Sequence, residues 1–125
     1  MKPQAILVPF GYPDYPREVV EKFVAESKTM LSNLNIEFTT TSIVKQEKDA
    51  EKVVKEIHQS SPDFIIALLV SWVGAPNLVA TLREFFSEPI LLWSHITYKQ
   101  DDTRITLGGL PAVGGDKGDF GGDGL

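Results

Sequence analysis

The sequence predicts an α/β fold, an open parallel sheet with helices on both faces, and three observations carry that prediction. Apolar runs of strand length alternate with stretches whose apolar residues recur at helical spacing. Two of the runs, Ala5 to Phe10 and Phe64 to Val70, are apolar at nearly every position, as strands covered on both faces are. The chain has 125 residues, enough for one sizeable core.

Taken in order, the first strand runs from Ala5 to Phe10 and is broken by Gly11, Tyr12, Pro13 and Asp14. Pro16 suits the first turn of a helix and Glu18 its electropositive end, and Val20, Phe23, Val24, Met30, Leu31 and Leu34 mark one helical face until Asn33 and Asn35 end it. Ile36 to Thr41 alternates apolar and polar residues, which fits a half-covered or edge strand. From about Gln46 to Gln59, Ala50, Val53, Val54 and Ile57 fall at i, i+3, i+4 and i+7 while lysines and glutamates fill the other face. Ser61 and Pro62 stop that helix, and Phe64 to Val70 reads as a central parallel strand. Pro76 and Asn77 open a third helix carrying Leu78, Val79, Leu82, Phe85 and Phe86, which Pro89 ends before a short strand from Ile90 to Trp93.

Right-handed crossovers between strands so spaced build a flavodoxin-like three-layer αβα sandwich of four to five strands, order 2-1-3-4, with any fifth strand supplied by Arg104 to Leu107. The domain spans residues 1–107. Residues 108–125 hold eight of the ten glycines together with Asp116, Asp119 and Asp123, and with no surviving period they read as a linker-like or disordered tail. That tail resembles one turn of a calcium-binding nonapeptide array, but such arrays need several stacked turns.

Composition excludes several classes of function. There is no cysteine, so there is no disulfide framework, thiolate metal site or cysteine nucleophile. With 12 basic and 17 acidic residues the formal charge is −5, and no basic stripe offers itself to nucleic acid. The longest apolar run, Phe64 to Val70, is far short of a membrane span, and the amino terminus lacks the pattern of a signal peptide, so a cytoplasmic protein with no membrane partner is expected. Two histidines without metal-ligand spacing make a zinc site improbable, and no serine sits in a Gly-x-Ser-x-Gly elbow. No self-sufficient catalytic constellation is visible.

Ligands of open parallel sheets sit outside the carboxyl ends of the strands. After the first strand, one glycine and two prolines (Gly11, Pro13, Pro16) disfavour the phosphate loops of FMN and dinucleotide sites. Val70, Ser71 and Trp72 at the end of the third strand do not supply the aspartate of a receiver domain. Asp14 and Arg17 read as a helix cap and a solvated charge, and the alternative is that Arg17 or Tyr12 reaches a polar ligand across the crevice. Trp72, after the third strand, is either a platform for the apolar face of a sugar or a core residue closing the top of the sheet. Ser94 and His95 follow the fourth strand, where His95 is a hydrogen-bonding group or an acid–base residue. His58, on the charged face of the second helix, reads as solvated.

Several short segments together resemble the N-terminal domain of the L-fucose and L-arabinose isomerase family, in particular its fucose isomerase-like members. They are the opening strand followed by Pro16-Arg17-Glu18-x-x-Glu21, the Ser71-Trp72 turn, and Pro89-Ile90-Leu91-Leu92-Trp93 followed by Gly108-Gly109-Leu110-Pro111-Ala112-Val113-Gly114-Gly115. The resemblance covers most of the chain through motifs that are each short. It implies a protein several hundred residues long, oligomeric, that interconverts aldoses and ketoses with a divalent metal, usually manganese, held by two carboxylates and a histidine in later domains. This chain would then contain no cofactor site of its own. The N-terminal domain helps to bind sugar, often over the active site of a neighbouring subunit. Trp72 matches the family's pocket tryptophan, Arg17 is the nearest candidate for a substrate-binding arginine of the first loop, and Trp93, Ser94 and His95 occupy the place of polar residues after the fourth strand. From Asp116 onward the chain departs from the family, which would continue into a helix. The expected function is substrate recognition and oligomerisation within a sugar isomerase-like protein, inactive alone. The rival expectations are a free-standing, non-enzymatic module that senses a small sugar at Tyr12, Trp72 and His95, and an assembly domain with the glycine tail as its linker.

Overall fold

The structure is a computed structural model that describes residues 2–71 and 73–94. Among these residues the order of elements is β1 (Gln4–Phe10), α1 (Arg17–Asn33), β2 (Glu37–Thr40), α2 (Glu47–Ser60), β3 (Phe64–Leu69), α3 (Ala75–Leu82) with a 3-10 turn at Arg83–Phe85, and β4 (Ile90–Ser94). All the strand pairings are parallel and the sheet order is β2-β1-β3-β4, as the alternation of periods predicts. The fifth strand expected at Arg104 to Leu107 and the tail at 108–125 lie outside the described residues.

Side-chain alternation along the two central strands builds one core on each face of the sheet. Ile6, Val8 and Phe10 of β1 and Ile65, Ala67 and Leu69 of β3 point towards α2 and α3, where Val53, Ile57, Leu82 and Phe85 meet them. Ala5 and Leu7 with Ile66 and Leu68 point the other way, onto Val20, Phe23, Val24 and Leu31 of α1. The chain steps from β1 leftward to β2 through α1, then returns past β1 to β3 and β4 through α2 and α3. With right-handed crossovers this change of direction places α1 on one face and the other two helices opposite it.

The buried stripe of α1 differs from the expected one. It runs Val20, Phe23, Val24, Ser27, Leu31, and takes in a serine whose hydroxyl donates to the Phe23 carbonyl at 2.8 Å. Met30 lies about 80° round the helix from Val20 at 100° per residue and is half exposed. Leu34 is the C-cap, beyond the last turn, and is exposed. In α3, Val79 is exposed, and the helix gives way to the 3-10 turn after Leu82, several residues before Pro89; Phe86 beyond the turn is also exposed. Left-handed backbone at Asn35 (φ 65°) and Ser61 (φ 48°) turns the chain out of α1 and α2, close to the predicted stops.

Pro9 occupies a central strand, where a missing N–H normally breaks a ladder. Here β2 ends at Thr40, whose register partner is Leu7, so Pro9 lies beyond the last β1–β2 rung. The chain then returns at Val44, which donates its N–H to the Pro9 carbonyl at 2.9 Å and bridges to Phe10. The loop after β2 is thereby drawn against the carboxyl end of β1.

Candidate functional site

The reversal of strand order falls between β1 and β3, and the loops leaving their carboxyl ends diverge there, one towards α1 and one towards α3. A chain of hydrogen bonds links those loops. The Val70 N–H donates to the Phe10 carbonyl at 2.9 Å as the last rung between the strands. One residue further, the Tyr12 N–H donates to Ser71 Oγ at 2.8 Å, and Ser71 is buried. The Gly11 N–H donates to the Val44 carbonyl at 3.0 Å, which ties in the loop after β2. Asn77, in the first turn of α3, donates its side-chain amide to the Lys45 carbonyl at 3.3 Å and so joins the same loop from the other side. The crest of the sheet is a rim of four segments held together by main-chain hydrogen bonds and by the side chains of Ser71 and Asn77. Such preorganisation suits recognition of a small ligand, because little ordering remains to be done on binding.

The predicted site residues distribute unevenly around this rim. Tyr12 sits on it, with its main chain fixed by Ser71 and its residue surface 42% exposed. Ser94 closes β4 in register with Leu69 and is half-buried. The ends of β1 and β4 are two strand spacings apart, about 10 Å, with the end of β3 between them. Arg17 opens α1, exposed, and its Nε donates to Glu21 Oε2 at 2.8 Å one turn along the helix. Trp72 and His95 lie outside the described residues.

No protein-family signature, curated protein or solved structure matches the chain.

Cavities also lie away from the crest. A groove of about 590 Å³ runs between β2 and α2, lined by Thr39, Thr41, Ser42, Glu56, Gln59 and Ser60 among others. Its carboxylate is engaged, since Glu56 accepts from the Ser42 N–H at 2.8 Å and from the Ser42 hydroxyl at 3.0 Å. At the amino end of the sheet, a cavity of about 330 Å³ is lined by His58, Ile65, Glu84 and Phe85. His58 is more than a solvated residue: its Nε2 lies 3.1 Å from Glu84 Oε1 and its ring is 4.8 Å from that of Phe85, joining α2 to the turn after α3. Among the described residues no three His, Asp or Glu side chains come together as a metal set. No helix among them is long and apolar enough to cross a membrane.

The sequence reading did not single out Ser71, Val44, Lys45 or Asn77 as builders of the crest. Ser71 alone carried a signal, as the first polar residue after a run of buried apolar ones, at the point where a parallel strand leaves its core. The others act through main-chain carbonyls or across long sequence separations that no local pattern encodes.

Proposed function

We propose that the chain is the substrate-recognition domain of an aldose–ketose isomerase-like protein and takes its sugar at the crest between the carboxyl ends of β1 and β3. The observation that carries the reading is the Tyr12–Ser71 tie at the point where strand order reverses, the place where open parallel sheets bind ligands. The sequence resemblance supplies the class of ligand. An indole at Trp72 would offer an apolar face to the sugar ring, and Tyr12 and Ser94, from the loop after β1 and the end of β4, would supply hydroxyls to it. By the same resemblance, the divalent metal and the base that moves hydrogen between C1 and C2 would be supplied by other parts of the protein.

Titration of the isotope-labelled chain with L-fucose or L-arabinose, followed by amide NMR, tests the binding step. Shifts confined to Gly11, Tyr12, Ser71 and the first turn of α3 are expected, and Trp72→Ala is expected to abolish them. An unchanged spectrum at millimolar sugar, or shifts clustered in the β2–α2 groove, would sink the reading. Incubation with manganese and sugar is expected to give no turnover, and conversion at the pace of a complete isomerase would replace a recognition domain with a self-sufficient enzyme.

A further inference from the structure

We infer that Glu56 of α2 is a positioning residue for the crest: by holding Ser42 it fixes a β-bulge opposite Pro9 that brings the loop after β2 against the loops leaving β1 and β3. The bulge shows in the register. Thr40 pairs with Leu7, so in an unbroken ladder Phe10 would face Ile43, yet its partner is Val44. The hydrogen bonds agree. The Thr41 N–H donates to the Leu7 carbonyl at 3.0 Å, and the Pro9 carbonyl, which Ile43 would reach in regular pairing, accepts instead from the Val44 N–H at 2.9 Å. One extra residue has been taken up between Thr41 and Val44, which is the definition of a bulge. Pro9 has no N–H to give to this segment, so the ladder is already interrupted where the insertion sits.

Side chains hold what the ladder does not. Ser42, inside the insertion, gives its N–H to Glu56 Oε1 at 2.8 Å and its hydroxyl to Glu56 Oε2 at 3.0 Å. Its carbonyl accepts from the Thr41 hydroxyl at 2.8 Å. Glu56 is well placed for this, because the burial of Val53 and Ile57 fixes the helix that carries it. Its other ionic neighbour, Lys52, comes only to 4.0 Å from an exposed position, a weak pull. The regular register competes for the same chain, because Ile43 is apolar and β-branched like Val44 and would take its place opposite Phe10. Only the bulged register buries Val44 in the core beneath α2 and sets its carbonyl 3.0 Å from the Gly11 nitrogen, beside Tyr12. One residue further it presents the Lys45 carbonyl to Asn77 at the start of α3. Glu56 thus acts on the crest through Ser42, from the far side of the loop. That the crest takes a sugar rests on the function proposed above; that Glu56 sets its geometry does not.

NMR spectra of the whole isotope-labelled chain and of its Glu56→Ala and Glu56→Gln variants test the inference. Glutamine can keep both contacts, its carbonyl accepting from the Ser42 N–H and its amide donating to the Ser42 oxygen, so it should restore what alanine loses. In Glu56→Ala the resonances of Val44, Gly11 and Tyr12 and of the Asn77 side-chain amide should be displaced, and the Val44–Phe10 methyl–ring contact weakened. Those of Ile66 and Leu68 in β3 should stay in place, and Glu56→Gln should return the wild-type pattern. Ser42→Ala keeps the N–H contact and loses the hydroxyl one. It should displace the same resonances by less, and it carries the test if alanine at 56 prevents folding. A contact that only adds stability would lower the unfolding midpoint of Glu56→Ala and leave its folded spectrum unchanged beyond Ser42, and that result overturns the inference. Equal displacement in Glu56→Gln and Glu56→Ala also overturns it. Titration with L-fucose separates the two readings: affinity should fall in Glu56→Ala and return in Glu56→Gln, whereas a wild-type chain that binds no sugar would refute the recognition role and leave the positioning of the crest to be judged by the resonances alone.

Discussion

Ser71 shows how one side chain sets the geometry of a rim. Its hydroxyl stands in for the next rung of a ladder that ends when β1 and β3 diverge, and it fixes the main chain of Tyr12. Ser71→Ala leaves the Tyr12 N–H without this acceptor in a part-buried setting, so a loss of about 1–2 kcal/mol in denaturant unfolding is expected, with amide shifts centred on Gly11 and Tyr12. Ser61 is the opposite case. It holds a left-handed conformation at the end of α2, which costs a residue with a Cβ about 1 kcal/mol, so Ser61→Gly should raise the unfolding midpoint, offset in part by the greater freedom of glycine in the unfolded chain. Arg17 pairs with Glu21 on an exposed helix face, a contact worth about 0.5 kcal/mol or less. Arg17→Ala should therefore barely move stability, and any loss of sugar binding in that variant would report on the ligand and not on the fold.

At the scale of elements, α2 is the best specified segment of the chain. Its stripe of Ala50, Val53 and Ile57 is buried as the spacing requires, and its start is fixed by Asp49, whose carboxylate accepts the N–H groups of Lys45 at 2.9 Å and Gln46 at 3.0 Å. Asp49→Ala is expected to cost about 1 kcal/mol by equilibrium unfolding. It should also loosen the Lys45 carbonyl that Asn77 uses, which amide exchange at the crest would detect. The weaker agreement for α1 and α3 has a physical cause. A helix on a twisted sheet buries only the residues that meet the strands beneath it, so Met30 and Val79 stay exposed although their sequence spacing is acceptable. Ser27, by contrast, is buried because it can satisfy its hydroxyl within its own helix.

The whole domain rests on two cores separated by one sheet, and β1 and β3 contribute to both. Leu68 is fully buried on the α1 face and Leu69 is its counterpart on the other. Truncation of Leu68 to alanine is expected to cost about 2–5 kcal/mol, a large share of the roughly 5–15 kcal/mol that stabilises a domain of this kind, and cooperative thermal unfolding would show a correspondingly lower midpoint.

The amino-acid sequence by itself determined the number and order of the described elements and the parallel sheet. Apolar period is a local property, and two continuous apolar strands allow few other folds. Turn chemistry at Asn35, Ser61 and Pro76 placed the ends of the helices within a few residues for the same reason. The sequence also pointed to the carboxyl ends of the strands, because that rule depends on topology alone. Only the tertiary structure decided which residues build the crest. Ser71 meets Tyr12 across 59 positions and Asn77 meets Lys45 across 32, and no pattern of neighbours encodes such pairings. It also decided why Pro9 is tolerated, since that depends on where a different strand ends, and that Leu91 and Leu92 of β4 are exposed, since exposure is fixed by what packs alongside and not by the residue itself.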